Sequence, residues 1–173
     1  MAYKLGQSAV QGVFFENPAV EFHIRQMARM LGMSKTAVSY HVKSLIKHGI
    51  VMERKDVFTK YAANEQSKKY RISKLFYGLE KVTGSGVVEH LEEKTRPKAV
   101  VLFGSFAKAE FDSSSDIDIF VQASEETIEL NSFERKLKHK IHLLFEPKLE
   151  KLSSELLNNI INGIKLSGQL KLK

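Results

Sequence analysis

The chain has no cysteine, no tryptophan and only three prolines in 173 residues. Without thiols there is neither a disulfide framework nor a thiolate metal centre. It also lacks any apolar run long enough to cross a bilayer, any signal-like N-terminus and any low-complexity tract. These absences predict a cytoplasmic protein with no membrane partner. Its length and ordinary apolar content accommodate two small domains, each with a modest core.

Charge distinguishes the two halves. Residues 1–86 hold 14 Lys/Arg against 6 Asp/Glu, whereas residues 87–173 hold 13 against 14. All of the net positive charge therefore lies N-terminally. Such an asymmetry points to a polyanionic partner for the first half, because phosphate neutralisation supplies most non-specific nucleic-acid affinity.

The pattern beneath that charge is helical. Ile24, Met27, Ala28 and Leu31 fall at helical spacing and Gly32 stops the run. Ser34 is a suitable N-cap for a second helix over 35–48, with an apolar stripe of Val38, Val42, Leu45 and Ile46 ended by Gly49. This is a helix-turn-helix. The opposite face of the second helix offers Lys35, Thr36, Ser39, Tyr40 and Lys43, which suit phosphates and base edges rather than a core. Ile50–Arg54 and Val57–Ala62 read as two strands around a tip at Lys55-Asp56. Tyr3, Phe14 and Phe15 are assigned to the core side of the first helix. The run from Leu31 to Val51 resembles the winged-helix repressors of the ArsR and MarR type. The resemblance implies binding to double-stranded DNA through Ser34, Lys35, Thr36, Ser39, Tyr40, Lys43, Arg54 and Lys55.

Residues 65–82 form a connecting helix with Ile72, Leu75, Phe76, Leu79 and Val82 on one stripe. A stripe that apolar needs a partner, either its own domain or a second copy, so a homodimer is expected. Gly84-Ser85-Gly86 reads as a hinge, and a helix near 87–95 leads past Pro97 into the second half.

There the run Ala99–Phe103 is short, β-branched and closed by Gly104-Ser105, as a buried strand leading into a helix over 105–110 should be. Free N–H groups at a helix start favour phosphate, and Ser105 adds a hydroxyl donor. In the next run alternation puts Asp116 and Asp118 on one face and Ile117, Ile119 and Val121 on the other. Paired carboxylates suit Mg²⁺, which takes one or two protein oxygens together with substrate phosphates.

The stretch from Gly104-Ser105-Phe106-Ala107-Lys108 to Ser115-Asp116-Ile117-Asp118 resembles the minimal nucleotidyltransferases of the polymerase-beta-like superfamily. Leu156, Ile160, Asn162-Gly163, Leu166 and Gly168 are similar to that family's closing helix and small-residue end. The resemblance implies a nucleotide (ATP or another nucleoside triphosphate) held by Gly104, Ser105 and Lys108, with Mg²⁺ on Asp116 and Asp118. Two positions depart from the family. Ala109 stands where members carry glycine, so the helix is expected to start less tightly or to pack differently. His142, on the expected strand Lys140–Phe145, stands where they place a third carboxylate that binds metal and helps deprotonate the attacking hydroxyl. Neutral histidine accepts a proton but is a poor oxygen-ligand substitute. Asp116, Asp118 and His142 are thus the candidate catalytic residues, with Glu134 and Glu146 as conceivable substitutes for the missing acid. Whether the site turns over stays open.

These features define an α+β chain: a winged helix-turn-helix domain over 1–64, a linker and dimerisation helix with its hinge over 65–86, and over 87–173 a small nucleotidyltransferase-fold α/β domain with a mixed sheet. The expected function is a DNA-binding transcriptional regulator whose second domain binds a nucleotide with Mg²⁺. One alternative is an active nucleotidyltransferase that moves a nucleoside monophosphate to a protein or small molecule. Another is an antitoxin-like partner of a helical toxin.

Overall fold

The computed structural model describes residues 2–55 and 57–171, with side chains from Gly6 onward, so Asp56 and the side chain of Tyr3 lie outside the described residues. The chain divides into two compact units, 1–77 and 78–173.

The first unit follows the expected order. Helix α1 (Ala2–Glu16) is followed by α2 (Ile24–Leu31), α3 (Lys35–Lys47) and the antiparallel strands β1 (Val51–Arg54) and β2 (Lys60–Ala63). Gly32 ends α2 in the left-handed conformation that glycine adopts without penalty, and Ser34 caps α3 by accepting the Ala37 N–H at 3.1 Å. Phe14, Phe15, Met27, Val38, Val42 and Leu45 are buried together, which is what the apolar stripes of three helices require. Phe22 exchanges both backbone hydrogen bonds with Tyr61, so the wing gains a one-residue third strand.

The wing departs from expectation. Its second strand starts at Lys60 rather than Val57, leaving an open tip in which Val57 and Phe58 are exposed. These two apolar residues have no covered face to alternate into, so β-propensity alone did not extend the ladder.

Helix α4 (Lys68–Thr83) begins in this unit. The Tyr70 hydroxyl donates to the Phe14 carbonyl at 3.4 Å, the Tyr77 hydroxyl donates to Glu16 Oε1 at 3.1 Å, and both rings lie against Phe15. Gly12 makes room for Tyr77, because a Cβ there would meet its hydroxyl at 2.7 Å. Part of the helix thus packs on its own unit, through tyrosines that lie outside the expected apolar stripe. Ile72 and Phe76 stay exposed, Phe76 at 65%.

Burial pushes the Tyr70 and Tyr77 phenols above their ordinary value of 10.0, and Glu65 and Glu16 respectively act in the same direction. A group whose folded value is raised contributes stability that is complete below its unfolded value and lost as pH rises beyond it. Denaturant titrations are therefore expected to show the first unit losing stability above pH 10. Replacing both, Tyr70→Phe with Tyr77→Phe, should flatten that loss; an unchanged alkaline limb would mean that other groups carry it.

The second unit is built on a sheet of order β5-β4-β3-β6. Strand β3 (Ala99–Phe103) pairs antiparallel with β4 (Ile117–Val121) and with β6 (Ile164–Gly168), and β4 pairs parallel with β5 (Ile141–Phe145). The sheet is mixed, as expected, but it has one strand more than the three expected. The segment assigned to a small-residue end pairs along β3, where Gly163 and Gly168 allow close approach to the backbones of Leu102 and Lys98. Helices α5 (Val87–Thr95), α6 (Gly104–Lys108), α7 (Asn131–Leu137) and α8 (Ser154–Ile161) connect and flank these strands.

Alternation assigns the two sheet faces. Val101, Phe103, Phe120 and Leu144 share one face, covered by Leu156, Leu157 and Ile160 of α8. Asp118 and His142 lie on that same face, one repeat toward the start of β4 and β5, beyond the apolar cluster. The Gly84-Ser85-Gly86 turn is held from both sides. The Ser85 hydroxyl donates to the Val82 carbonyl at 2.6 Å and accepts the Val87 N–H at 3.1 Å, while Lys136 Nζ donates to the carbonyls of Gly84 and Ser85 at 3.0 and 2.9 Å.

Candidate functional site

Strand β3 ends opposite the start of β4, with Phe103 paired to Asp118. Gly104 then turns the chain into α6 at φ 69°, and a Cβ on it would collide with the Asp118 carboxylate. Glycine is required here twice, for the left-handed backbone and for the space. The outcome places the residue expected to cradle phosphate directly against one of the expected metal ligands. Ser105 is half-buried in the first turn of α6 and Lys108 is exposed near its end.

Helix α6 is a single turn, five residues long, so its dipole contributes less than a full helix would. Ala109 is the left-handed C-cap of this helix at φ 59°. The effect of the missing glycine therefore falls on how the helix stops. A β-carbon in that conformation costs on the order of 1 kcal/mol relative to glycine.

Asp118 is half-buried, and His142 Nδ1 lies 3.3 Å from its Oδ1. Parallel pairing of β4 with β5 sets the two residues side by side, so their proximity follows from strand register. A neutral imidazole bonded to a carboxylate through Nδ1 carries its proton there, leaving Nε2 as the acceptor.

Asp116 precedes β4 and is exposed. Its position is fixed by a hydrogen-bonded loop. The Asp112 carboxylate accepts the Ser114 N–H at 2.8 Å and the Ser114 hydroxyl at 2.7 Å, and the Asp112 N–H donates to Ser115 Oγ at 2.9 Å. Nδ1 of the buried His139 is bonded to the Ser115 carbonyl at 2.7 Å, and its ring sits edge-on to Phe106, which stacks on Phe111 at 4.1 Å. The Asp-x-Ser-Ser run is a recognisable side-chain-capped turn. Nothing in the sequence spacing marks His139.

Neither alternative acid compensates for His142. Glu134 receives Lys140 Nζ at 2.9 Å and the Ile141 N–H at 3.1 Å, which together hold its carboxyl below the usual range. Glu146 caps the Lys148 N–H beyond the far end of β5. Among the described residues no group of three or more His, Asp or Glu side chains is arranged to hold a metal ion. The donor chemistry still suits Mg²⁺ with a phosphate ligand, because Asp116 and Asp118 offer only hard oxygens and phosphate supplies the rest.

The first unit presents a separate surface. Along α3, Val38, His41, Val42 and Leu45 are buried, while Lys35, Thr36, Tyr40 and Lys43 are exposed and Ser39 is half-buried. Ser34 is committed to capping but remains exposed, and Arg54 and Lys55 are exposed where β1 runs into the wing tip. Of the other histidines, His23 Nδ1 is bonded to the Thr59 carbonyl at 3.0 Å and His48 Nδ1 to the Ser44 carbonyl at 2.7 Å.

A winged helix-turn-helix followed by a mixed sheet in which the Gly104 turn closes on Asp118 makes this a winged-helix unit followed by a nucleotidyltransferase-fold domain. Residues 86–169 match the family model described as polymerase beta, nucleotidyltransferase, and residues 23–52 match that of the winged helix-turn-helix DNA-binding proteins. No curated protein and no solved structure matches the chain. Among the described residues no helix is long and apolar enough to cross a membrane.

Proposed function

We propose that the protein is a DNA-binding transcriptional regulator whose second domain binds a nucleoside triphosphate with Mg²⁺ and performs little or no transfer. The observation that carries this reading is the close approach of Gly104 to the Asp118 carboxylate, with His142 bonded to the same group. Gly104 lets the Asp118 carboxylate close against the turn into the helix, where Ser105 would donate its hydroxyl, Lys108 would balance charge, and Asp116 and Asp118 would supply metal oxygens. Asp116 and Asp118 are the residues that would hold Mg²⁺, whose charge would offset that of the phosphates. His142 contributes no such oxygen. Transfer loses more than binding does, because the absent group acts chiefly in the transition state.

Calorimetric titration of the full chain with each triphosphate, with and without Mg²⁺, tests the binding half. Saturable heat that requires the metal is expected. Gly104→Ala should abolish it, since the methyl group must displace Asp118, and Asp118→Asn should abolish it by removing a charged oxygen ligand. His142→Ala should leave it within a few-fold. Metal-independent binding, or full binding by Gly104→Ala, would sink the assignment.

The exposed Ile72 and Phe76 on α4 support a homodimer, because burying such side chains is worth roughly 1.5–3 kcal/mol each. Two copies would also suit a two-fold DNA site.

A further inference from the structure

Beside Asp116 the second unit has a cavity of about 690 Å³, which none of Gly104, Ser105, Asp118 and His142 lines. Its volume is that of a pocket for a small organic ligand. The wall is made by the Ser113–Ser115 loop on one side and by α7 and the residues after it on the other, with Asn131, Arg135 and Lys138 contributing. Glu134 and Lys140 also line it, but they neutralise each other through their 2.9 Å ion pair. Arg135, whose Nε donates to the Asn131 carbonyl at 3.3 Å, and Lys138 are then the cations left on this wall, and Asp116 is the remaining acid of the lining.

Lys138 occupies the left-handed C-cap of α7 at φ 57°, where its N–H bonds to the Glu134 carbonyl at 2.7 Å. That position favours glycine, so Lys138 carries a conformational cost there, as Arg96 and Ala109 do at their helix ends. Two cations, the hydroxyl and amide groups of Ser113, Ser114 and Asn131, and the Asp116 carboxylate in one lining match a ligand that has a phosphate and several hydroxyls.

We propose that this cavity is a second ligand site that binds a small sugar phosphate or nucleotide-like phosphomonoester, with its phosphate between Arg135 and Lys138 and its hydroxyls toward Ser113, Ser114 and Asn131. The site adjoins the nucleotide through Asp116, and only that neighbourhood rests on the nucleotide-binding reading. A molecule seated here lies next to the phosphates that the Gly104 cradle would hold.

The test uses backbone amide spectra of the full chain with divalent metal chelated, titrated with inorganic phosphate, ribose and ribose 5-phosphate. Ribose 5-phosphate should move the amides of Ser113, Ser114, Asn131, Arg135 and Lys138, phosphate should do so more weakly, and ribose should move none. Arg135→Glu and Lys138→Gly should each weaken ribose 5-phosphate by roughly tenfold, as expected when a charge-assisted hydrogen bond is removed. Lys138→Gly should melt no lower than the parent, since glycine suits that backbone, so its loss of binding is not a loss of fold. No movement with ribose 5-phosphate, equal affinity for it and phosphate, or undiminished binding by both variants would overturn the proposal. A parallel Mg²⁺-ATP titration followed at Gly104, Ser105 and Asp118 reports on the nucleotide reading separately, so either can fail alone.

Discussion

Raising salt from about 50 to 200 mM should weaken duplex-DNA binding by the full chain roughly 10²-fold if one copy binds and roughly 10⁴-fold if two bind. The magnitude follows from the exposed cations of the reading face and wing, Lys35, Lys43, Arg54 and Lys55. If each neutralises one phosphate, a single copy gives a logarithmic slope of about −3.6 and a dimer about −7, because each neutralised phosphate contributes about −0.9. The slope therefore reports the number of copies as well as the interaction. Lys35→Ala or Lys43→Ala should lower its magnitude by about one for each phosphate left without its cation and weaken all sequences alike. Ser39→Ala and Tyr40→Ala should instead change which sequence is preferred, provided their side chains reach base edges. Light scattering on Phe76→Asp links the two effects: a monomer with the shallower slope is expected. A slope near zero in the parent would refute DNA binding, and a parent that is monomeric at micromolar concentration would refute the dimer.

What could be read in the sequence was whatever local rules determine. Gly32, Ser34 and Gly49 mark helix ends through backbone conformation and capping, so the helix-turn-helix was legible from a few residues. The alternation of Asp116-Ile117-Asp118-Ile119 fixed the faces of β4, and the register of β4 with β5 then placed His142 beside Asp118. What stayed hidden depends on residues distant in sequence. Tyr70 and Tyr77 join the packed side of α4 only because Phe15 and Glu16 of α1 meet them. Strand β6 carries little alternation and exists because Gly163 and Gly168 let it approach β3. His139 holds the loop before Asp116 through a carbonyl 24 positions away, an interaction without a sequence signature. The wing erred in the opposite sense: Val57 and Phe58 have strand-like propensity but nothing to pack on.

The register that sets His142 against Asp118 also makes the transferase question answerable by one substitution. His142→Asp is expected to gain transfer of a nucleoside monophosphate from a triphosphate, at a rate roughly 10²–10⁴ above the parent, the range supplied by a positioned general base. The Cα of residue 142 pairs with that of Asp118 across parallel strands, so a carboxylate there converges on the same point. It would add a hard oxygen for the metal and accept the proton of the attacking hydroxyl, while the hydroxyl oxygen bonds to the α-phosphorus and pyrophosphate leaves. Binding of Mg²⁺ and triphosphate should tighten only modestly, because the added group acts chiefly as the hydroxyl loses its proton. Pyrophosphate release and incorporation of labelled nucleotide are the readouts, with Asp118→Asn combined with His142→Asp as the control that removes any gain. His142→Ala should be as inactive as the parent. Fast turnover by the parent, abolished in His142→Ala, would reverse the assignment and make the Nε2 of His142 the working base.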